Sequence, residues 1–283
     1  LEAPDPTLGA GKDITMREVA DRAAERLDAE SLAAQPRVEA SLRTIIGRTY
    51  FNLGEWQKAE PQLRRALELH ESVSGAESQD AIQTNHLLAV VLRNTGELDE
   101  SQERFATLRP AVERVFGPDD ERTLQILNDI GQLHKMRREH TEAIALFRTV
   151  LDRVDRGATV KPEMLAVVRG NLGESLAQTG ELDEASAMIA AASGAMTVAH
   201  PEPHPDTARA RVRYAALLQA TGKTAEARTE LESAITIFDQ TLDATHPDAL
   251  ATRLRLATLL EASGDAAAAI ELFAAIVSAG EAS

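Results

Sequence analysis

The sequence predicts an all-α solenoid in which pairs of helices stack in a row. One observation is a turn that recurs every 42 residues, as LGEWQKA, TGELDES, RREHTEA, TGELDEA, TGKTAEA and SGDAAAA. Another is that a small residue stands seven positions before each turn and five positions after it. Aromatic residues make up only 3% of the chain, so the core must be built from Ala, Leu, Ile and Val.

The residues that define the period share one phase. The turn position holds Gly54, Gly96, Arg138, Gly180, Gly222 and Gly264. The small residues before the turn are Gly47, Ala89, Gly131, Gly173, Ala215 and Ala257, and those after it are Ala59, Ser101, Ala143, Ala185, Ala227 and Ala269. Small residues on both sides of a turn are what two helices need when their backbones pack closely.

The elements follow in order from a Pro/Gly-rich opening, residues 1–13, which indicates a linker within a longer protein. Thr15 and Glu18 form a capping box that opens a helix to about Ser31, and residues 14–36 are predicted to cap the array. Residues 37–283 hold six helix pairs. The first helices are predicted at about 37–52, 80–94, 122–137, 164–178, 206–220 and 248–262. The second helices are predicted at about 55–73, 97–116, 139–155, 181–198, 223–242 and 265–279. Pro205 and Pro247 suit the first position of a helix.

Composition excludes several classes of function. The net charge of −15 argues against a nucleic-acid or anionic-membrane binder. With no cysteine, disulfides and zinc–cysteine sites are excluded. No apolar run is long enough to span a membrane, so we expect no direct membrane insertion. No phosphate loop, nucleophile elbow or zinc-protease motif is present, so we expect neither an enzyme nor a cofactor.

The small–turn–small pattern resembles the tetratricopeptide repeat, whose usual unit is 34 residues. The 42-residue unit, with HPDT and HPDA at its joints, is similar to the form found in kinesin light chains and many bacterial proteins. This resemblance implies a right-handed superhelical solenoid of six helix-turn-helix repeats behind an N-terminal capping helix. The sequence departs from the family where a large aromatic is usual, at Arg43, Asn85, Arg169, Arg211 and Arg253.

Residues 11–69, GKDITMREV to LRRALEL, resemble the segment that joins a membrane-anchored bacterial serine/threonine kinase to its C-terminal repeats. The resemblance implies a sensory or scaffolding arm of a signalling kinase. Its location would be cytoplasmic, or extracytoplasmic if it follows a transmembrane segment of the kinase.

In this family the first helices line a concave groove, so the resemblance places the candidate ligand-binding residues there. They are Arg48, Asn52, His86, Arg93, Asn94, Asn128, Gln132, Lys135, Asn171, Gln178, Arg209, Arg213 and Arg255. Asn and Gln can hold a peptide backbone, and Arg can bind carboxylates. Because residues 207–221 carry three arginines and no acid, we expect an acidic partner segment or a free C-terminal carboxylate. The alternative is that these arginines pair with acids of neighbouring helices.

A metal site is not expected. His200 and His204 flank Glu202, but His204 recurs in phase as His246, so we expect its role to be local to a helix start. The loop GPDDERT lacks the ligand pattern of a calcium loop.

Two apolar surfaces remain. No charge occurs from Ala185 to Ala199, which indicates a helix buried by its neighbours or, alternatively, a self-association face. The final helix carries Ile270, Leu272, Phe273, Ile276 and Val277, so a homodimer through 265–279 is possible. The sequence therefore favours a protein-binding or peptide-binding module, with a self-assembling module as the alternative.

Overall fold

The computed structural model describes residues 15–29, 32, 34–200, 203–243 and 245–281. Within these residues the chain forms thirteen α-helices and no strand, which confirms the all-α fold class. The helix before the repeats is α1 (Met16–Ala29). The first helices are α2 (Pro36–Asn52), α4 (Gln79–Thr95), α6 (Glu121–Met136), α8 (Pro162–Thr179), α10 (Pro205–Ala220) and α12 (Pro247–Ala262). The second helices are α3 (Trp56–Ser74), α5 (Leu98–Phe116), α7 (His140–Asp155), α9 (Leu182–Ala199), α11 (Thr224–Thr241) and α13 (Ala266–Glu281).

The helix boundaries lie within two residues of those predicted from the 42-residue period. The capping box is present, since the backbone N–H of Glu18 donates to Thr15 Oγ1 at 3.2 Å and that of Thr15 donates to Glu18 Oε2 at 3.0 Å. Pro205 and Pro247 begin their helices as predicted. The predicted linker, residues 1–13, and residues 14, 30, 31 and 33 of the predicted cap lie outside the described residues.

The turns between paired helices require a left-handed backbone. All five turn glycines have positive φ, and Arg138, at the third turn, has a φ of 64°. An L-residue pays a steric penalty in this region that glycine avoids. Arg138 therefore stores strain at a position where the other five repeats have none.

We expect Arg138→Gly to raise the free energy of unfolding by about 1 kcal/mol, because it removes this strain. The matched control is Gly180→Ala, at a turn with a φ of 90°, which should lower the free energy of unfolding by about 1 kcal/mol. Urea unfolding followed by circular dichroism measures both. An Arg138→Gly protein less stable than the parent would contradict the assignment of strain to this turn.

The small residues before the turns allow the two helices of a pair to approach closely. A Cβ added at Gly47 would lie 2.7 Å from a side-chain carbon of Leu63, and one added at Gly131 would lie 2.5 Å from Phe147. Both distances are shorter than a van der Waals contact. The close-packing interpretation of the sequence period is therefore confirmed at these repeats.

Three of the five polar residues that replace the usual aromatic of the first helix bond to the second helix of the same repeat. Each bond joins residues 19 positions apart: Arg43 to Gln62 at 2.9 Å, Arg104 to Asn85 at 3.1 Å, and Arg211 to Glu230 at 2.8 Å. Arg253 instead pairs with Asp239. Hydrogen bonds thus take the place of aromatic packing in these three repeats, and both Arg211 and Arg253 pair within the protein.

The chain divides into two compact units at Pro118. In the first unit, fully buried residues such as Leu63, Leu88 and Leu92 form the core between paired helices. In the second unit, Phe147 and Leu172 are at the centre of one cluster. Leu231, Leu260 and their neighbours form another.

Helix α1 is in the 42-residue phase of the second helices, but its residues differ at the core positions. Arg17 and Asp21 stand where α3 has Ala59 and Leu63, which are fully buried. Ala24, by contrast, remains buried against α2 and α3. Charged residues at these two positions agree with the predicted capping role of α1, because the end of a solenoid needs a polar outer side.

Charged and polar bonds attach α1 to the first repeat. Asp21 accepts hydrogen bonds from Lys58 Nζ at 2.7 Å and from the Tyr50 hydroxyl at 2.8 Å. The bond from Lys58, followed by that from Tyr50, lowers the pKa of the Asp21 carboxyl. Arg17 pairs with Glu55 at 2.5 Å.

An arginine joins the second helices of the first unit. Arg64 on α3 donates two hydrogen bonds of 2.6 Å to the two carboxylate oxygens of Glu100 on α5. These bonds, with a further contribution from Arg104, lower the pKa of Glu100 from 4.5 to about 2. Glu100 thus remains charged and paired well below neutral pH.

The outer face of α9 differs from the expectation of a buried helix. Ala187, Ala191 and Gly194 are exposed, and Val198 is 79% exposed. A Cβ added at Gly194 would meet nothing within 4 Å, so no described helix packs against this face. The lack of charge in α9 therefore does not reflect burial on both sides.

Among the described residues, we find no helix with the length and hydropathy needed to cross a bilayer.

Candidate functional site

Polar side chains connect the first helices of the second unit. Asn171 Nδ2 on α8 donates to Asn128 Oδ1 on α6 at 3.1 Å, and both residues are buried. Lys135 Nζ donates to Asn171 Oδ1 at 3.1 Å and pairs with Glu174 at 2.5 Å. Glu174 also lies 3.5 Å from Arg213 Nε on α10. Asn128 and Asn171, which were predicted to hold a peptide, therefore bond to one another. A ligand that bound them would have to break this hydrogen bond and replace it.

Arg209 on α10 is paired on both sides. It donates to Asp206 at 2.7 Å and to Asp248, on α12, at 2.7 Å. Burial lowers the pKa of Arg209, but the hydrogen bonds to Asp248 and Asp206 outweigh it and leave the pKa above its usual value. The charge count over residues 207–221 left out both partners, because Asp206 lies in the first turn of α10 and Asp248 lies on the next first helix, α12.

The expectation of an uncompensated arginine strip is therefore wrong. Arg209 pairs with Asp206 and Asp248, and Arg213 lies near Glu174. The alternative, pairing with acids of neighbouring helices, describes these arginines.

Two adjoining clefts open between the first helices of the second unit. The α8–α10 cleft has a volume of about 300 Å³ and a floor supplied by α9. Its lining is Glu163, Met164, Ala166, Val167, Gly170, Ile189, Ala192, Met196, Asp206, Arg209, Ala210 and Arg213. Two acids and two arginines balance within this lining, and most of the remaining surface is apolar.

The α10–α12 cleft has a volume of about 270 Å³ and shares two arginines with the first. Its lining is Arg209, Val212, Arg213, Phe238, Asp248, Ala251, Thr252 and Arg255. Three arginines stand against one aspartate here, in a chain whose net charge is −15. Arg255 is exposed and takes part in no ion pair among the described residues. Because Arg209 and Arg213 have acidic neighbours, Arg255 supplies the uncompensated positive charge of this lining, and that charge suits an anion.

Five candidates of the second unit line neither cleft: Asn128, Lys135 and Asn171, whose bonds are given above, and Gln132 and Gln178. Gln132 on α6 donates to Asp129 Oδ1 at 3.3 Å and is half-buried. Gln178, in the last turn of α8, is exposed. Neither residue lines the two clefts.

In the first unit, Arg48, Asn52 and Asn94 are exposed, as expected of groove residues. Arg93 is only 6% exposed and is engaged in an interaction within the protein. A buried guanidinium must be paired, so this side chain is not available to a ligand, contrary to the prediction. His86 is half-buried, with its ring edge-on to Phe105 at 6.3 Å between centroids.

The histidines near the start of α10 have a local role. His204 Nδ1 accepts the backbone N–H of Asp206 at 3.2 Å, and His246 Nδ1 accepts that of Asp248 at the same distance. The prediction that His204 acts at the helix start is confirmed.

His200, His204 and Asp206 are one group, among the described residues, whose ligand atoms lie within 4.8 Å of one another. The rings of His200 and His204 are stacked at 4.0 Å and 10°, so their lone pairs do not converge. A nitrogen that accepts the capping N–H would have to give it up to bind a metal. The cap and the ion pair of Asp206 with Arg209 account for this arrangement.

Comparison with known families agrees with the repeat architecture. A family model described as tetratricopeptide repeat matches residues 80–156 and 206–279, more than half of the chain. Two further models with the same description match residues 40–80 and 166–191. None of the three describes an enzyme family. No curated protein matches the chain.

Solved structures share the fold at low sequence identity. BtubC (BKLC) from P. vanneervenii is 18% identical with a TM-score of 0.63, over 83% of this chain and 95% of that chain. A Signal Transduction ATPase with Numerous Domains protein with a tetratricopeptide repeat sensor, from Pyrococcus horikoshii, is 15% identical with a TM-score of 0.69, over 94% of this chain and 40% of that chain. A Rap protein complexed with Competence and Sporulation Factor is 15% identical with a TM-score of 0.68, over 96% of this chain and 78% of that chain.

Proposed function

Because the chain belongs to the tetratricopeptide repeat family, whose members are generally protein–protein interaction modules, we propose that it binds a partner peptide without catalysing a reaction. The binding surface is the pair of clefts between the first helices of the second unit. A similar fold, that of a Rap protein, was solved in complex with Competence and Sporulation Factor, which supports a binding role.

The observation that carries this proposal is the charge of the α10–α12 cleft. Three arginines and one aspartate line it, although acids outnumber bases in the chain as a whole. Arg255 has an exposed guanidinium, and the 3.5 Å approach of Glu174 to Arg213 is longer than a strong ion pair. Both guanidinium groups can donate hydrogen bonds to a ligand carboxylate, from an acidic side chain or from a chain terminus.

Binding of synthetic peptide mixtures tests the proposal. The acidic library alternates Asp or Glu with Leu or Met, and the amide library replaces each acid by Asn or Gln. We expect the acidic library to bind the purified protein at least about tenfold more tightly, as measured by fluorescence anisotropy. Amidated C-termini distinguish a terminal carboxylate from acidic side chains. Equal binding of the two libraries, or none, would contradict a carboxylate-binding groove.

The finer biological role in this proposal is that of a sensory or scaffolding arm of a bacterial signalling kinase. It is supported by the resemblance of residues 11–69 to the segment that links such kinases to their repeats. We expect the reading frame before Leu1 to encode a kinase domain and a membrane-spanning segment. A reading frame that encodes neither would contradict this role.

A self-assembling module is the second candidate, and the surface of α13 favours it. Ile270 is 67% exposed and Val277 is 60% exposed, whereas Leu272 and Phe273 are partly buried against their own repeat. The exposed apolar surface of α13 therefore contains fewer of the large apolar residues than the sequence predicted, because Leu272 and Phe273 pack inside the repeat. Each large apolar side chain contributes about 1.5–3 kcal/mol when it is fully buried.

Sedimentation decides between a monomer and an assembly through α13. We expect Ile270→Glu with Val277→Glu to abolish any dimer of the parent protein without changing its helicity. A matched control is Val38→Glu, at an exposed apolar position of α2. A parent that remains monomeric at high concentration would exclude this candidate function.

A further inference from the structure

Gly170 lies inside helix α8, and close packing does not explain why this position holds a glycine. The in-phase positions of the other repeats hold Thr44, His86, Asn128, Val212 and Leu254. A Cβ added at Gly170 would lie 3.7 Å from a guanidinium nitrogen of Arg213 and 3.9 Å from Ala192 Cβ, which are ordinary contacts. At Gly173, one turn later, the same atom would lie 2.4 Å from Ile189. Packing therefore demands Gly173 but not Gly170, although glycine destabilises a helix interior.

The absent side chain leaves space in the α8–α10 cleft. Gly170 and Ala166 line the cleft from α8, and the facing helices α9 and α10 also contribute small side chains, those of Ala192 and Ala210. The resulting volume of about 300 Å³ is at the lower end for ligand pockets, so it suits one side chain better than a large cofactor.

The charges of the lining select the kind of side chain. Glu163 and Asp206 are matched by Arg209 and Arg213, and Arg209 is already paired twice. A charged ligand group gains little from a balanced lining, whereas an apolar group is removed from water against Met164 and Met196. The cleft therefore complements a neutral apolar group.

We infer that the α8–α10 cleft is a socket for one aliphatic side chain of the bound peptide, and that Gly170 sets its depth. This inference rests on the proposed function, because the socket adjoins the α10–α12 cleft and shares Arg209 and Arg213 with it. The partner segment then carries a leucine-like or methionine-like residue close to a carboxylate. Gly170 is a specificity-determining residue for that segment.

Methionine methyl NMR reports on the socket directly. The chain has five methionines; Met164 and Met196 line the cleft, while exposed Met16 and Met136 serve as internal controls. We expect N-acetyl-leucinamide to shift the Met164 and Met196 methyl signals alone, and N-acetyl-asparaginamide to shift neither. Gly170→Leu should fill the socket and remove the response, whereas Gly170→Ala should fold normally and retain it.

Peptide selectivity provides the second readout. An alanine library replaces each Leu or Met of the acidic library by Ala. The parent should prefer the acidic library to the alanine library by about tenfold, and Gly170→Leu should bind both equally. If peptides bind but the methyl signals and the preference do not respond to Gly170→Leu, the socket is wrong and the groove stands. If N-acetyl-leucinamide binds in the cleft but no library does, peptide binding is wrong, and with it the inferred peptide side chain.

Discussion

Gly173→Leu should destabilise the second unit by about 3 kcal/mol or more, the upper range for overpacking a core. A Cβ at this position would lie 2.4 Å from Ile189 Cγ1 and 3.0 Å from the backbone oxygen of Ala185. A backbone oxygen cannot rotate away as a side chain can, so α8 and α9 would have to separate. That separation would also expose Leu172 and Leu176, which are buried in the same cluster.

A neighbouring glycine provides the matched control for this prediction. Gly173→Ala should cost about 1–3 kcal/mol, because even the first carbon is too close. Gly170→Ala, on the same helix but with room for its Cβ, should raise the free energy of unfolding by about 0.5–1 kcal/mol. Urea unfolding followed by circular dichroism compares the variants. If Gly173→Leu and Gly170→Ala unfold at the same urea concentration, the packing argument fails.

Reversing the charge of Arg213 and Arg255 together should weaken binding of the acidic library by about 10- to 100-fold. Both side chains line the α10–α12 cleft and are exposed, so the fold does not depend on burying them. The reversal changes a lining of three arginines and one aspartate into one in which acids predominate. A ligand carboxylate would then meet repulsion where it now meets guanidinium groups.

A control variant with the same change in net charge separates the effect of the cleft charges from the effect of the net charge of the protein. Arg148→Glu with Arg228→Glu alters two exposed arginines on the second helices α7 and α11, and neither arginine lines a cleft. This control should bind the acidic library within about twofold of the parent at physiological salt, because exposed charges beyond a Debye length are largely screened. Equal weakening by both double variants would show that net charge, and not the cleft, governs binding.

The sequence predicted the helices well because their period depends on local spacing. Turn glycines and small flanking residues show where the two helices of a pair turn and where they come into contact. These signals lie within a few residues of one another, so they can be recognised from the sequence. Arg138 shows the limit of such a pattern. The periodicity identified it as a replaced glycine, but only the backbone shows that it adopts the left-handed conformation.

The site was harder to predict because its pairings join residues about 40 positions apart. Asn171 reaches Asn128, and Arg209 reaches Asp248, only once neighbouring first helices are stacked at a particular distance. The exposed face of α9 has the same origin, because exposure depends on how neighbouring helices are spaced.

Gly170 was missed although a signal was present in the sequence. It stands outside the phase of the small residues that flank the turns, so close packing could not account for it. Gly173, three residues away, has that phase and was recognised. A glycine out of phase with the repeat is therefore the sequence signal that points to the proposed socket.

Hydrogen exchange of the protein with and without the acidic library tests most directly whether the clefts of the second unit are the binding site. We expect slower amide exchange confined to α8, α10 and α12 and to the part of α9 that forms the floor of the α8–α10 cleft. This protection should be lost in the Arg213→Glu, Arg255→Glu protein. Protection centred on α13 or on the exposed face of α9, with α10 and α12 unchanged, would show that the clefts are not the binding site.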